Sequence, residues 1–306
     1  MARSCKRLPV IVLAGGDSRR FGGDKLVALV NGRSVIARVV ARVAPLASDL
    51  VVSTTSLGRA RQLARHLPRG TDFRLDRSSR WGAGPGAAIA GALEDYGNES
   101  VLFVPGDLPW VETRAVGRFL SHANAGSADV ASPFWGSGQT EHLVQWHRSG
   151  EIVRLLPWRQ RHAPRVRRAS EFLRAAPRTL LVPVAELTNR PKSFSHVTFR
   201  ADLLHPSLRG QNVGSDRVRE LAGAPKVRYR KGVDARSAGH VREATDAFVA
   251  EARWYDRAGL GLLAAHSLAD AMDLAGSQPN VIATKRRLER ALSMRPTDRE
   301  TVNLAG

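Results

Sequence analysis

One loop near the N-terminus carries the strongest chemical signal in the chain: Leu13-Ala14-Gly15-Gly16-Asp17-Ser18-Arg19-Arg20-Phe21-Gly22-Gly23-Asp24-Lys25. A glycine pair after an apolar run lets the backbone approach a phosphate or a base, because no Cβ intervenes. Successive N–H groups in such a turn form a nest for an anion. Arg19 and Lys25 add two cations to the same loop, a combination suited to a triphosphate. The spacing is not that of the ATPase phosphate-binding loop, since no Ser or Thr follows Lys25, and the glycines do not fit the dinucleotide fingerprint. Far along the chain, Asp107 follows the apolar run 101–104 in Val104-Pro105-Gly106-Asp107-Leu108-Pro109-Trp110. A carboxylate at a strand end, facing a basic phosphate loop, is a hard-cation ligand suited to Mg²⁺. The plainer role for Asp107 is a turn residue, for Lys25 a solvated loop cation, and for Asp76 a turn or helix cap.

These residues need a scaffold that brings strand ends together. The first 150 residues alternate short apolar runs with amphipathic stretches. Strands are expected at 9–14, 50–52, 73–75, 101–104, 129–132 and 143–146, and helices at 34–43, 59–67, 84–93 and 112–120. Ser34 is placed to cap the first helix. This alternation predicts an α/β fold with a mostly parallel sheet covered on both faces, in which ligands bind beyond the carboxyl ends of the strands. Gly15, Gly16, Asp76 and Asp107 all fall at such ends. Later strands are expected at 179–184 and 196–199, which puts the α/β domain at residues 1–205. A linker is expected over 206–236, with Pro206, Gly210 and Gly214, and a small helical C-terminal unit over 237–306.

The chain has 306 residues, 43% hydrophobic and 25% charged, and a formal charge of +19. That field attracts polyanions, NTPs and phosphorylated cofactors among them. No nucleic-acid recognition motif accompanies it, so nucleic acid is not the expected partner. No apolar run approaches the roughly 18 residues needed to span a bilayer. The segment 1–6 is short and polar, and a cytoplasmic protein is expected. Cys5 is the one cysteine, which excludes a disulfide framework. The arginine-rich stretch 151–178, with Arg154, Arg159, Arg161, Arg165, Arg167, Arg168, Arg174 and Arg178, reads as a solvated helical face or as a rim for an anionic acceptor.

Taken together, these motifs resemble the molybdenum cofactor guanylyltransferases and related MobA-like NTP transferases. Residues 13–25 resemble the family's signature loop. Val51-Val52-Ser53 resembles its second strand, where Asn is common at the place of Ser53. Asp76 with Gly84-Pro85-Gly86 resembles its Asp before a Gly-Pro-Leu helix start. The Asp107 segment resembles its Pro-Cys-Asp motif, with Gly106 in place of Cys. The likeness spans about residues 8–205.

The resemblance implies a Rossmann-like three-layer α/β/α nucleotidyltransferase domain that uses Mg²⁺. It implies that GMP passes from GTP to a phosphorylated small-molecule acceptor, molybdopterin, with release of pyrophosphate. It implies that Leu13, Ala14, Gly15 and Gly16 contact the nucleotide, that Arg19 and Lys25 bind the triphosphate, that Ser53 and Asp76 lie near the nucleoside, and that Asp107 holds the metal. Glu141 and His142, in Gly138-Gln139-Thr140-Glu141-His142-Leu143, stand where the family approaches its acceptor, but without the family's proline. The segment from His196 to Leu203 resembles an Asn-x-Asn-Thr-x-x-Asp-Leu stretch and lacks both asparagines. The glycine pair favours GTP, since cytidylyl relatives more often carry Ala-Ala-Gly there. Other acceptors stay open: adenosylcobinamide phosphate, sugar and polyol phosphates, and CTP with molybdopterin. A binding regulator without turnover is the reading of a different class. His266 and Asp270, one helical turn apart, read as packing or a surface pair.

Overall fold

A computed structural model describes residues 7–16, 18–76, 81–96, 99–148, 150–162, 165–166, 168–206, 217–275 and 278–293, of which 151–154 and 287–293 are described by backbone alone. Cys5, Asp17, Arg167, Gly210 and Gly214, and the side chain of Arg154, lie outside the description.

Strand β1 (Leu8–Leu13) is buried from Leu8 to Val12 and partly buried at Leu13. Val10 and Val12 enter one core, and Ile11 enters the other. Burial on both faces is what a near-continuous apolar run in a parallel sheet requires. The hairpin β2 (Leu29–Val30) and β3 (Arg33–Ser34) follows, then α1 (Val35–Val43), where Ser34 Oγ accepts from the Ala37 N–H as the sequence predicts. Next come β4 (Ala47–Thr54), α2 (Leu57–Ala64), β5 (Asp72–Leu75), α3 (Pro85–Asp95), β6 (Val101–Pro105), α4 (Thr113–Ala125), β7 (Val130–Phe134) and β8 (Gln145–His147). The chain continues through α5 (Glu151–His162), α6 (Ser170–Ala175), β9 (Thr179–Pro183), α7 (Val184–Leu187), β10 (Arg219–Leu221), α8 (Ala224–Ser237), α9 (Val241–Arg257), α10 (Gly261–Ala275) and α11 (Pro279–Ser293).

The described strands form one sheet in the order β10-β9-β7-β8-β6-β1-β4-β5, with the hairpin apart. Strand β1 lies parallel to both β4 and β6, while β8 runs antiparallel between β6 and β7. One face is covered by α1 and α4 through Val35, Val39 and Phe119. The other is covered by α3, α6 and the C-terminal helices through Ile89, Phe172, Phe248 and Leu263. The chain is therefore α/β, with a mostly parallel sheet between two helical layers.

Three expectations need correction. Of the expected linker 206–236, Arg219–Leu221 pairs antiparallel with β9 and Ala224–Ser237 is helix, so part of it is sheet edge and core. The helices beyond it share one hydrophobic core with the sheet, because their apolar faces have that face to cover. Residues 196–199 form no strand. The backbone donors there are taken elsewhere: Val197 N–H by the Asp107 carbonyl at 3.0 Å, and Thr198 and Phe199 N–H by the Asp202 carboxylate at 2.8 and 2.7 Å.

The arginine stretch is not a uniformly solvated face. Arg159 and Arg174 are 2% and 0% exposed. Arg174 grips Glu251 through two bonds, at 3.0 and 2.7 Å, and donates to Asp270 Oδ2 at 2.6 Å. Arg168 donates to the other oxygen, Asp270 Oδ1, at 2.9 Å. Arg159 donates to Tyr229 Oη at 2.7 Å and pairs with Glu171. Arginine suits such pairing because its fork matches a carboxylate and it is weakly hydrated for a cation. These contacts run from α5 and α6 to α8, α9 and α10, so they fasten the helical layer from inside. His266 bonds Ser170 rather than Asp270. Tyr255 is buried in the same core, and Trp254 packs on it.

Breaking the buried network at Arg174 leaves Glu251 without its cation and Asp270 with Arg168 alone. An R174M variant should lose about 3–5 kcal/mol in urea unfolding. R178M, on an arginine 46% exposed in its side chain, should lose less than about 1 kcal/mol. Equal losses would show that the network does not hold the layers together.

Acid should also weaken the fold through His147. Burial among Phe103 and Phe172 pushes its pKa from 6.5 to about 3. The folded state keeps it neutral, while the unfolded chain takes up a proton near pH 6.5. Its contribution is complete above pH 6.5 and is lost as pH falls toward 3, at about 1.4 kcal/mol per pH unit. Urea titrations between pH 7 and 4.5 should show a shallower acid slope for H147Q; an unchanged slope would rule His147 out.

Candidate functional site

Four strand ends and two loops converge on one cavity of about 460 Å³. It is lined by Leu13, Ala14, Gly15 and Gly16 after β1, by Lys25 and Leu26, by Thr55 after β4, by Asp76 after β5, and by Pro105 and Asp107 at β6. Residues 82–85 and the first turn of α3 close one side, and Leu143 before β8 closes another. Backbone bonds set the strand ends at a common level: Ala14 N–H to the Ser53 carbonyl at 2.8 Å, Asp76 N–H to Thr54 at 2.8 Å, and Gly106 N–H to Leu13 at 2.9 Å.

Two glycines are closely packed here. A Cβ on Gly15 would lie 3.1 Å from both Asp76 Oδ2 and Thr55 Cγ2. A Cβ on Gly106 would lie 2.8 Å from Ile36 Cδ1 and 3.1 Å from the Leu13 carbonyl oxygen, so a larger residue would have to push the end of the Ile36 side chain aside.

The signature loop is held at three points. Phe21 N–H bonds the Ser18 carbonyl at 2.9 Å. Asp24 accepts from Leu26 N–H at 3.1 Å, from Gln62 at 3.0 Å and from both terminal nitrogens of Arg59, which clamps the loop to α2. Burial disfavours the charged Asp24, but Arg59 outweighs it and the pKa lies below the usual value. Arg200 stacks over Phe21 at 5.5 Å and bonds the Gly22 carbonyl at 3.2 Å.

The chemical centre is a chain of alternating charge. Lys25 Nζ donates to Asp107 Oδ2 at 2.5 Å. His196 Nδ1 lies 2.9 Å from Asp107 Oδ1, and His196 Nε2 lies 2.8 Å from Glu141 Oε2. The Trp135 indole N–H donates to Glu141 Oε1. Burial alone would raise the Asp107 pKa, but His196 and Lys25 hold it well below the carboxylate range. Burial alone would lower that of His196, but Asp107 and Glu141 push it up to about 10. The centre is thus two carboxylates and two cations, with Asp107 at the cavity wall.

A second basic recess of about 390 Å³ adjoins Lys25 and is lined by Ser18, Arg19, Arg20 and Thr198. Lys25 therefore borders both spaces, one with an apolar wall and the Asp76 carboxylate, the other lined by arginine.

The structure brings most of the expected residues together. Leu13, Ala14, Gly15, Gly16, Lys25, Asp76 and Asp107 share the main cavity, and Arg19 lies in the adjoining recess. Ser53 does not line the cavity; its buried hydroxyl bonds Asp76 Oδ1 and so orients that carboxylate. Burial raises the Asp76 pKa, while Ser53 and Arg74 oppose it. Glu141 is buried and reaches the site through His196 rather than directly. His142 packs edge-on against His266, with ring centres 5.6 Å apart. Sequence reasoning missed His196, Arg20, Thr198 and Trp135. His196 stands where the resembled stretch has its first asparagine, and that substitution was the signal available.

Known proteins match in the same region. The model of the MobA-like NTP transferase domain matches residues 10–180. A molybdenum cofactor guanylyltransferase of Cereibacter sphaeroides is 31% identical over 166 residues, covering 51% of this chain and 82% of that protein. One of Shewanella pealeana is 32% identical over 127 residues, 41% of this chain and 60% of that protein. Against three further curated relatives, the chain spans 58%, 56% and 65% of their length. Among solved structures, molybdopterin-guanine dinucleotide biosynthesis protein A from Archaeoglobus fulgidus superposes with a TM-score of 0.52 at 21% identity, over 65% of this chain and 96% of that one. That likeness is one of fold, and it agrees with the sheet and strand-end cleft described above. With a family model matched across more than half its length, over the segment that builds the cleft, this chain belongs to the MobA-like NTP transferase family.

Proposed function

We propose that the chain transfers GMP from GTP to the phosphate of molybdopterin, with Mg²⁺, and releases pyrophosphate. The observation that carries the reading is the Lys25–Asp107 pair at 2.5 Å, which joins the glycine turn after β1 and the acidic tip of β6 across one cavity.

The residues present fit the metal. Among the described residues no group of three or more His, Cys, Asp or Glu side chains could cage an ion. A single carboxylate beside a polyphosphate seat is what Mg²⁺ uses, since it keeps waters and takes substrate phosphates as ligands. Asp107 would hold it, and the ion would offset charge on the α-phosphate and the leaving group.

The protein's own groups account for the rest. Backbone N–H groups at Gly15 and Gly16 and the first turn of α3 face the nucleotide, and a helix N-terminus favours an anion. Lys25, Arg19 and Arg20 hold the polyphosphate and offset charge as pyrophosphate leaves. The acceptor phosphate is already anionic near pH 7, so it needs orientation rather than a strong general base. Its oxygen attacks the α-phosphorus, the bond to the bridging oxygen breaks, and the charge passes to pyrophosphate. Asp76 supports guanine as the base: a carboxylate accepts from two adjacent N–H groups, which guanine's pairing edge offers and cytosine's does not.

The test is pyrophosphate release by the full chain with Mg²⁺, an NTP panel and candidate phosphorylated acceptors. GTP with molybdopterin should be the productive pair. D107N should lower kcat at least about 100-fold, as expected when an electrostatic stabiliser of the transition state is removed. Full activity in D107N would remove Asp107 from the chemistry. D76N should cut the preference for GTP over CTP by about tenfold in kcat/KM, near the low end for loss of a base-reading contact. An unchanged ratio would assign base selection to other residues.

A further inference from the structure

The function just proposed assigns no task to the helices that follow β10, although they form most of one layer of the fold. A backbone contact connects them to the site. The turn between β7 and β8 is tight: Trp135 N–H bonds the Gln139 carbonyl at 2.8 Å, Gly138 N–H bonds that of Trp135 at 2.8 Å, and Glu141 N–H bonds that of Pro133 at 2.8 Å. The turn between α9 and α10 rests directly on it. Gly138 has φ +84°, and a Cβ there would stand 1.7 Å from the Gly259 carbonyl oxygen and 3.3 Å from Gly261 N. Two backbones meet with no room for a side chain. Arg219 braces the contact from the sheet edge by donating to the Ala258 carbonyl at 2.8 Å and stacking over Phe134 at 5.0 Å.

The β7–β8 turn carries one of the two carboxylates that hold His196. Trp135 and Glu141 lie at its two ends and bond each other, and Glu141 bonds His196 Nε2 at 2.8 Å. His196 Nδ1 in turn meets Asp107 Oδ1 at 2.9 Å. From the helical layer to the candidate metal ligand the path is therefore Gly259, Gly138, Trp135 and Glu141, His196, Asp107, each step a direct contact.

We propose that the α9–α10 turn is a positioning element for the metal carboxylate: by seating on Gly138 it fixes the Trp135–Glu141–His196 relay that orients Asp107. This rests on the assignment of Asp107 to the metal made above. Partners of a metal ligand act this way because they fix its orientation, and their loss weakens metal affinity by about 10–100-fold.

The test uses the full chain with GTP and Mn²⁺ as the probe. Free Mn²⁺ is followed by electron paramagnetic resonance, alongside pyrophosphate release and GTP binding without metal. G138A should weaken Mn²⁺ affinity about tenfold while metal-free GTP affinity stays within about twofold. G150A and G239A, at glycines with φ +81° and +79° and open space around the missing Cβ, serve as controls for backbone strain and should match the wild type. If G138A does not fold, W135F decides, since it removes the donor to Glu141 and leaves the turn's backbone hydrogen bonds in place; it should move Mn²⁺ affinity in the same direction. Wild-type Mn²⁺ affinity in W135F and in any folded G138A, with D107N defective, would overturn the coupling alone. Wild-type Mn²⁺ affinity in D107N would overturn the metal assignment and this inference with it.

Discussion

The site depends on compensating one carboxylate. Asp107 stands at a strand tip, nearly buried, where burial opposes its charge. It stays ionised because Lys25, 82 residues earlier, and His196, 89 residues later, each take one of its oxygens. A charge removed from water needs partners of this kind, and the partners must be held in place. That requirement ties together the glycine turn after β1, the tip of β6 and the irregular segment after α7. Residues 196–199 therefore forgo strand pairing: Val197 bonds the carbonyl of Asp107 itself, which fixes His196 beside the carboxylate it serves.

The same logic recurs on the far face of the sheet with a structural purpose. Arg174, Arg168 and Arg159 are drawn into contact with Glu251, Asp270 and Glu171. A chain of charge +19 has cations to spare, and the three arginines here are matched by three acids. The C-terminal helices thus complete a layer that the sheet would otherwise leave open, and apolar contacts through Phe248, Tyr255 and Leu263 share the work. Burial of polar pairs costs desolvation, so the hydrophobic contacts supply the net stability and the ion pairs make the docking specific.

Much of the α/β half was legible in the residues. The apolar runs at 9–14 and 101–104 are buried on both faces as strands, Ser34 caps the first helix, and the glycine turn, Asp76 and Asp107 meet in one cavity. Periodicity and turn chemistry are local properties, and a parallel sheet places strand ends at one edge by topology. The site's finer division of labour was not legible. Ser53 serves Asp76, and Glu141 serves His196, because side-chain partners separated by 23 and 55 residues are chosen by the fold and leave no mark on local pattern.

The linear order of residues determined by itself the fold class, the glycine turn and the acidic strand tip, since backbone freedom at glycine and burial at apolar runs act over a few neighbours. Only the tertiary structure decided which arginines are buried, that residues 219–221 join the sheet and 224–237 its covering layer, and that a helical turn at Gly259 presses on the loop behind Glu141. Those outcomes depend on which distant groups compete for the same charge and the same space, and that competition exists only once the chain is folded.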